Sequence, residues 1–325
     1  MDRIDEGSPV PTLDDVARRA GVSKSTASRA LSRPELVAPA TIARVNDAAL
    51  ALGFEPSRVA QALAHGRTGL IALVVPTLEN AFFTPIINGA QARAAEAGAQ
   101  LTVAVHSGDD HTALARLARQ VDGFLITAPH GSDDDLRAVC RLAPTVLIDR
   151  EVPGLPSVSA DVASAFGEVI AHLAATGHRR IAYLGGPHGS WQSLRRSEAV
   201  QQAGHGRAEL RMLGPVPATF TAGVESVDAV LDSGATAVVP YATSVALGLM
   251  AALERRGVAV PGDLLVSAEL AILDALGMSQ VPAIDVDGEQ LGRVAAEHLV
   301  ERIERRGHSE GRPVRLPVAV RLSVS

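Results

Sequence analysis

Strand-like and helix-like segments alternate along most of this chain, and this alternation limits the folds that it can adopt. From Gly69 onward, apolar runs such as GLIALVV, GFLITAP and TAVVPY are separated by amphipathic stretches such as VASAFGEVIAHLAATG and GEQLGRVAAEHLVERIERRG. Alternating β and α units form parallel sheets that helices cover on both faces. The segment 69–325 is longer than a lobe built on a single parallel sheet usually is. We therefore predict two similar α/β lobes with a cleft between them.

The first part of the chain has a different pattern, that of short helices joined by tight turns. Thr12 and Asp15 approximate a capping box at the start of a first helix, and Gly21 ends that helix. Ser23 is placed to cap a second helix over residues 24–31.

A third helix is predicted from Pro39 to Leu52, and Gly53 ends it. Its apolar face carries Ile42, Val45, Ala49 and Leu52. These boundaries divide the chain into a tail (1–11), an all-α head (12–55), a linker with one short helix (56–68) and the two-lobed body (69–325).

Bulk properties place the chain among ordinary globular proteins. A hydrophobic fraction of 47% with 20% charged residues argues against disorder and a fibrous class. No apolar run approaches the roughly 20 residues of a membrane-spanning helix, and the polar N-terminus does not resemble a secretory signal. The single cysteine, Cys140, is predicted to be a small core residue. We therefore expect a cytoplasmic protein.

Charge is distributed unevenly along the chain. The whole chain carries a net charge of -6, yet residues 12–67 hold eight basic and five acidic side chains, including the only lysine, Lys24. A slightly basic head on an acidic body indicates a small unit that contacts DNA.

A helix, a glycine turn and a second short helix make a helix-turn-helix. On the second helix, Lys24, Ser25 and Arg29 are predicted to face outward, where lysine and arginine can donate to guanine O6 and N7. Thr26 and Ser28, with the amides of the helix start, suit phosphate oxygens. A plain solvated helix is the alternative for these residues taken alone.

The run TLDDVARRAGVSKSTASRAL, followed by TIARVNDAALALGFEPSRVAQAL, resembles the head and hinge of the LacI/GalR family of bacterial transcription regulators. The resemblance implies three side chains that read bases and five that contact phosphate. The base-reading residues are Lys24, Ser25 and Arg29, and the phosphate contacts are Thr12, Ser23, Thr26, Ser28 and Thr41. Two departures are Ala27, in place of the usual valine, and Ala38, where a serine commonly caps the third helix.

The segment from Ser57 to Gly66 is helix-prone but too short to be a stable helix alone in water. The family resemblance implies that it folds against the hinge of a second subunit and the DNA minor groove, which requires a homodimer and a roughly palindromic site. It assigns this contact to Ser57, Arg58, Ala60 and Leu63, with Leu63 as the wedge that kinks the duplex. A plain linker with Leu63 packed on the body is the alternative.

The body resembles the same family's effector domain, which has the fold of periplasmic sugar-binding proteins. The resemblance implies a cleft that binds an effector and places Trp191 and Arg196 in one loop. The candidate cleft residues are Phe82, Phe83, Asp149, Trp191, Arg196 and Phe220, and Asp161 also lies in its usual segment.

Several polar groups that the family uses for sugars are missing from this sequence. Ala242 and Thr243 replace an Asn-Asp pair, and Leu270 and Ala271 stand where acids usually do. Each buried sugar hydroxyl left without an acceptor loses roughly 1–3 kcal/mol. We therefore expect that the body binds no ordinary neutral sugar. It then binds a less polar or anionic molecule, or serves as a structural dimerisation domain.

Catalysis finds little support, because the ten histidines form no metal-ligand spacing and no phosphate loop ends in Lys-Ser/Thr. We predict a transcription regulator that acts as a repressor rather than as an activator. We expect it to have no enzyme activity, cofactor or metal. Its partners are operator DNA, a second copy of the chain and an effector. One alternative is a regulator with a vestigial small-molecule pocket, controlled by a protein partner or not at all. Another, from a different class, is a transport-type solute-binding protein.

Overall fold

The computed structural model describes residues 11–32, 34–54, 67–106, 112–305 and 311–322. The chain divides after Gly69 into two compact units, which we call the head and the body. The helices of the head are α1 (Leu13–Ala20), α2 (Lys24–Ser32) and α3 (Pro39–Leu52), with a 3-10 turn at Pro34–Leu36 between the last two.

Local interactions fix where the helices of the head begin and end. The capping box predicted for α1 is present, since Thr12 and Asp15 each bond the other's backbone N–H. Gly21 and Gly53 follow α1 and α3 with φ of +65° and +63°, where a side chain would be strained. The Ser23 hydroxyl accepts from the Thr26 N–H at 3.1 Å and caps α2. Ala38 offers α3 no side-chain acceptor, so this helix begins on a proline alone.

A compact apolar core joins the three helices of the head. It is made largely of small side chains, which let short helices cross closely. Its buried members are Val16, Ala17, Ala20, Ala27, Ala30, Val45, Ala48 and Ala49. Ala27 is fully buried, so the alanine at this position completes the core with a smaller contact than valine would make.

The body consists of two α/β lobes, as predicted. The first lobe has a parallel sheet of order β12-β5-β4-β3-β1-β2. Its strands are β1 (Leu70–Val75), β2 (Gln100–Val105), β3 (Gly123–Thr127), β4 (Thr145–Ile148), β5 (Ser157–Ala160) and β12 (Pro313–Leu316). Its helices are α4 (Phe83–Glu96), α5 (Thr112–Leu117), α6 (Asp133–Cys140) and α13 (Gly288–Arg305).

The second lobe has a parallel sheet of order β7-β6-β8-β9 and a small sheet of order β10-β11-β13. The strands are β6 (Arg180–Leu184), β7 (Glu209–Leu213), β8 (Ala237–Pro240), β9 (Leu265–Val266), β10 (Ala268–Glu269), β11 (Ala283–Asp285) and β13 (Ala319–Arg321). The helices are α7 (Val162–Ala175), α8 (Trp191–Gly204), α9 (Phe220–Glu225), α10 (Val227–Asp232), α11 (Thr243–Arg255) and α12 (Leu270–Ala275).

The chain passes between the lobes three times. It crosses between β5 and α7, returns between β11 and α13, and crosses again between β12 and β13. Apolar clusters cover both faces of each main sheet, and the helices supply the outer halves of those clusters. The carboxyl ends of parallel strands are the usual place for ligand sites in such folds, so the loops that follow β4, β6 and β8 matter most here.

The structure corrects the loop assignment of Trp191 and Arg196. Both lie in the first two turns of α8, a helix of 14 residues. The edge strand β7 lies between Ala203 and Phe220. Within the described residues, no helix is long and apolar enough to cross a membrane.

Candidate nucleic-acid interface and effector site

The helix α2 presents a polar face to solvent and an apolar one to the core of the head. Lys24, Ser25 and Arg29 are exposed, while Ala27 and Ala30 are buried. The two sets alternate at helical spacing, so packing of the alanines fixes the direction of the polar face. The three side chains predicted to read bases therefore share one accessible surface.

Hydroxyl groups gather at the start of α2. The Ser23 Oγ lies 2.9 Å from the Ser25 Oγ and 2.8 Å from the Thr26 Oγ1. Ser28 and Thr41 are half-buried, the latter in the first turn of α3. With Thr12 at the start of α1, all five predicted phosphate contacts thus lie at helix starts or on α2, where hydroxyls and free N–H groups suit an anion.

Thr12, the fifth predicted phosphate contact, has its hydroxyl committed within the head. It donates to Asp15 Oδ2 at 2.6 Å. Hydrogen bonds from Thr12, with help from Arg18, hold the pKa of the Asp15 carboxyl below its ordinary value. The same hydroxyl accepts from the Asp15 N–H at 3.4 Å, and the Thr12 N–H donates to Asp15 Oδ2 at 3.0 Å. A remaining lone pair of the exposed hydroxyl is therefore what Thr12 offers to another donor.

Asp14, the other acidic residue of α1, contacts Lys24 of the predicted base-reading set, and this contact was not predicted. The Lys24 Nζ lies 2.7 Å from Asp14 Oδ2, and both side chains are more than half exposed. Asp15 instead pairs with Arg18 at 3.1 Å. The four hinge residues, Ser57, Arg58, Ala60 and Leu63, lie outside the described residues.

In the body, Asp149 follows β4 and is completely buried, with a left-handed φ of +55°. Its Oδ1 accepts from the Ala160 N–H at 3.1 Å, while its Oδ2 has no hydrogen-bond partner among the described residues. Burial raises the pKa of this carboxyl to about 6, against the lowering effects of the Ala160 bond, Arg196 and Gln192.

Arg196 lies on α8 of the second lobe and is itself 8% exposed. Its charge lowers the pKa of Asp149, and we call these two residues the Asp149–Arg196 pair. Its guanidinium carbon lies 5.1 Å from the centre of the Phe166 ring and 4.6 Å from that of Tyr241. Its Nη1 donates to the Tyr241 carbonyl at 2.8 Å. The cation is therefore held between two aromatic rings, with one N–H still unbonded among the described residues.

Trp191 lies at the junction of the two lobes. The guanidinium carbons of Arg150, from the first lobe, and Arg195, from α8, each lie 6.0 Å from its ring centre. Arg150 is fixed in turn by Asp133 at 2.8 Å. This stack connects the loop after β4 to the start of α8, next to the Asp149–Arg196 pair.

The six predicted cleft residues fall into two groups. Asp149, Trp191 and Arg196 come together at the junction of the lobes. Phe83 instead lies in the core of the first lobe and is 5% exposed, and Phe82 packs on the same core. Phe220 begins α9 with 51% of its surface exposed. The sequence analysis missed Phe166, Gln192 and Tyr241, of which only Tyr241, directly after a strand, carried a positional signal.

The region of the missing acids holds a carboxylate that the sequence analysis did not count. Ala242 and Thr243 begin α11, and the Thr243 hydroxyl donates to Glu269 at 3.4 Å. Glu269 precedes Leu270 and is partly buried, and burial together with the charge of Asp285 raises its pKa. One acid, Glu269, therefore remains near this end of the cleft. It lies one residue before the first position, Leu270, at which the family usually has an acid.

Two pockets in the body lie away from Asp149 and Arg196. A cavity of about 30 Å³ in the first lobe is lined by residues that include Val74, His106 and His130. A pocket of about 310 Å³ lies between α8 and the end of β7, over Tyr183, Ser197 and Met212. Neither of these two is lined by Asp149, Trp191 or Arg196.

A helix-turn-helix head on a two-lobed body of the periplasmic-binding-protein type defines a class, the DNA-binding transcription regulators that carry an effector domain. Residues 12–57 match the profile of bacterial regulatory proteins of the lacI family. Residues 68–322 match that of periplasmic binding proteins and the sugar-binding domain of the LacI family. The chain belongs to the LacI family. The match to the head sets it apart from transport-type solute-binding proteins.

Relatives and solved structures agree with this assignment. The maltose regulon regulatory protein MalI of Escherichia coli is 37% identical over 58% of this chain and 57% of its own length. The transcriptional regulator GntR of Pseudomonas aeruginosa is 32% identical over 90% and 89%. The Lac repressor dimer bound to operator and the anti-inducer ONPF superposes with a TM-score of 0.82, at 26% identity over 95% and 97%. These relatives are regulators, not enzymes.

Proposed function

We propose that this regulator is a repressor that binds a pseudo-palindromic operator in the cytoplasm as a homodimer. Each head sets α2 in the major groove, where Lys24, Ser25 and Arg29 meet base edges. Thr12, Ser23, Thr26, Ser28 and Thr41 contact phosphates. The observation that carries this proposal is the exposed polar face of α2, whose direction the buried alanines fix. The operator-bound dimer of the Lac repressor supports the two-fold arrangement.

The hinge is the second part of the proposal. Ser57, Arg58, Ala60 and Leu63 enter the minor groove as a pair of short helices that fold on the DNA, and Leu63 inserts at the central step. Coupling of folding to binding makes the hinge the element through which the body shifts the DNA-competent population.

Selection of duplexes from a random pool by the full-length protein tests this function. We expect a motif with two-fold symmetry and a flexible central step, bound by one dimer per duplex. Affinity should fall steeply with salt because several phosphates are neutralised. An asymmetric motif, or a monomer bound to each duplex by sedimentation, would contradict the dimeric arrangement.

For the body we propose an effector that is less polar than a sugar or is anionic. The supporting observation is the guanidinium of Arg196 between Phe166 and Tyr241, with Trp191 and Arg150 beside it. Aromatic faces and one cation suit a flat or negatively charged molecule better than a neutral sugar, whose surface consists largely of hydroxyl groups. Asp149 and Glu269 remain as acceptors for at most a few donors.

A thermal-shift panel on the full-length protein tests this effector class. It should include neutral sugars, sugar acids, nucleosides and aromatic carboxylates. We expect stabilisation by members of the anionic or aromatic groups, and loss of that shift in Arg196→Ala. Clear stabilisation by a neutral sugar would overturn the proposal.

A second candidate for the body is control by a protein partner through a vestigial small-molecule site. The observation in its favour is that the two pockets described above for the body are lined by neither Asp149 nor Arg196. A panel without any stabilising metabolite, together with operator binding that no metabolite alters, would favour this candidate.

A further inference from the structure

The ion pair between Asp14 and Lys24 joins the first turn of α1 to the first residue of α2. The Nζ–Oδ2 distance is 2.7 Å, and 54% and 62% of the two side chains are exposed. The following inference rests on the proposed function, in which Lys24 meets DNA. A duplex that reaches the Lys24 ammonium must also approach the Asp14 carboxylate.

We propose that Asp14 is a specificity-determining residue that holds Lys24 away from unrelated DNA and releases it to the operator. A lysine ammonium is a mobile point charge that binds any phosphate oxygen within its reach. The Asp14 carboxylate competes with phosphate for this charge.

The effect differs between the two kinds of complex. In an unrelated duplex, Lys24 gains only phosphate contacts, which every sequence offers equally. In the operator it gains the O6 and N7 acceptors of a guanine, which replace the lost carboxylate. Asp14 therefore weakens non-specific binding more than it weakens operator binding, and it raises the ratio between the two.

The neighbouring Asp15 cannot take over this role. Its carboxylate receives hydrogen bonds from the Thr12 hydroxyl and N–H and pairs with Arg18. The Asp15 carboxylate is committed to the cap of α1, whereas the Asp14 carboxylate accepts from Lys24. The two adjacent acids thus have separate tasks, one in folding and one in recognition.

The experiment measures binding of full-length protein to a selected operator and to a scrambled duplex of equal length at several salt concentrations. Five proteins are compared: wild type, Asp14→Asn, Lys24→Ala, the double variant and Asp47→Asn. Asp47 is exposed on α3 and controls for the loss of one negative charge. Thermal unfolding shows that each variant is folded, which we expect because the substituted side chains lie at the surface.

We expect Asp14→Asn to tighten binding to scrambled DNA about tenfold and to the operator less than threefold, so that discrimination falls. In the Lys24→Ala background, the same change should have no more effect than Asp47→Asn. The inference is overturned if Asp14→Asn matches Asp47→Asn in the wild-type background, or if it tightens both duplexes equally. A wild-type protein that does not prefer its selected operator would instead overturn the proposed function and this inference together.

Discussion

The guanidinium of Arg196 stacks on the ring of Tyr241 at 4.6 Å and also donates a hydrogen bond to the carbonyl of that same residue. Tyr241 directly follows β8, and Arg196 lies on α8, so this pair ties a strand end to the start of a helix at the junction of the lobes. The buried Asp149 approaches from the first lobe. At this point the two lobes therefore meet through the charged side chains of Arg196 and Asp149 rather than through an apolar cluster.

Removal of Arg196 should destabilise the body strongly. Arg196→Ala leaves the Tyr241 carbonyl without its donor and removes a positive charge that favours the ionised form of the buried Asp149, at a cost of about 3 kcal/mol. Arg195→Ala is the matched control, since Arg195 is half exposed, and its pair with Glu198 and its contact with the Trp191 ring are together worth about 1 kcal/mol. Urea unfolding followed by fluorescence of the single tryptophan, Trp191, checks both. Equal effects would contradict the buried role of Arg196.

Stability should depend on pH through Asp149. Its pKa is raised from an ordinary 3.8 to about 6, so the folded state binds this proton more tightly than the unfolded state. The resulting stabilisation is complete below about pH 4 and is lost as the pH rises through 6. It amounts to about 3 kcal/mol.

Asp149→Asn should remove this dependence, because an amide does not titrate and still accepts from the Ala160 N–H. Relative to wild type, the variant should gain stability as the pH rises from 4.5 to 7.5, measured by urea midpoints at steps of one pH unit. Taking the difference between the two proteins cancels titration elsewhere. A constant difference across this range would show that Asp149 titrates normally.

Two helical glycines should respond in opposite directions to alanine. A Cβ on Gly292 would lie 2.0 Å from the Ile86 carbonyl oxygen, so Gly292→Ala must separate α13 from α4 and lose at least about 2 kcal/mol. A Cβ on Gly167 in α7 would have its nearest neighbour at 3.7 Å. Gly167→Ala should therefore gain about 0.5–1 kcal/mol from helix propensity. Unfolding in urea measures both, and a gain at Gly292 would refute the close helix contact.

The hinge proposal predicts a selective loss. Leu63→Ala should weaken operator binding at least tenfold while leaving binding to unrelated DNA unchanged, because only the operator complex carries the kinked central step. Leu50→Ala is the control, since Leu50 is a leucine of the head that is 86% exposed on α3. Fluorescence anisotropy on both duplexes measures the effect, and equal weakening on the two would contradict the wedge.

Much of the fold was predictable because local chemistry and periodicity agree with it. Thr12, Gly21 and Gly53 cap helices in the way that their types suggest, and the apolar face of α3 is continuous. The strands β1, β3 and β8 are buried and read as apolar runs. In these segments the residues that form the core are also the ones that hydropathy detects.

The helix α8 was missed because its buried face is mostly polar. Gln192, Arg196, Val200 and Gly204 have the spacing of a helix, yet only one of them is aliphatic. Hydropathy did not identify the strand β5 for the same reason, because its buried residues include two serines. Hydropathy cannot find elements that face a functional site, where burial and polarity go together.

The charged residues of the candidate site could be predicted from the sequence, whereas the contacts that these residues make could not. Asp149 and Arg196 were identified by position, but their burial and the two rings around the guanidinium depend on segments far apart in the chain. Glu269 and Asp14 were overlooked for the same reason. Their partners, Thr243 and Lys24, are neighbours only in the folded protein.

The central claim is that the exposed face of α2 reads base sequence, and selection from random duplexes with single variants of that face tests it most directly. Selection is run in parallel with wild type, Lys24→Ala, Ser25→Ala and Arg29→Ala. The account predicts a symmetric motif for wild type and, for each variant, relaxed preference at one symmetry-related pair of positions while the rest of the motif persists. Enrichment of no motif at low salt, or of an identical motif by all four proteins, would contradict it.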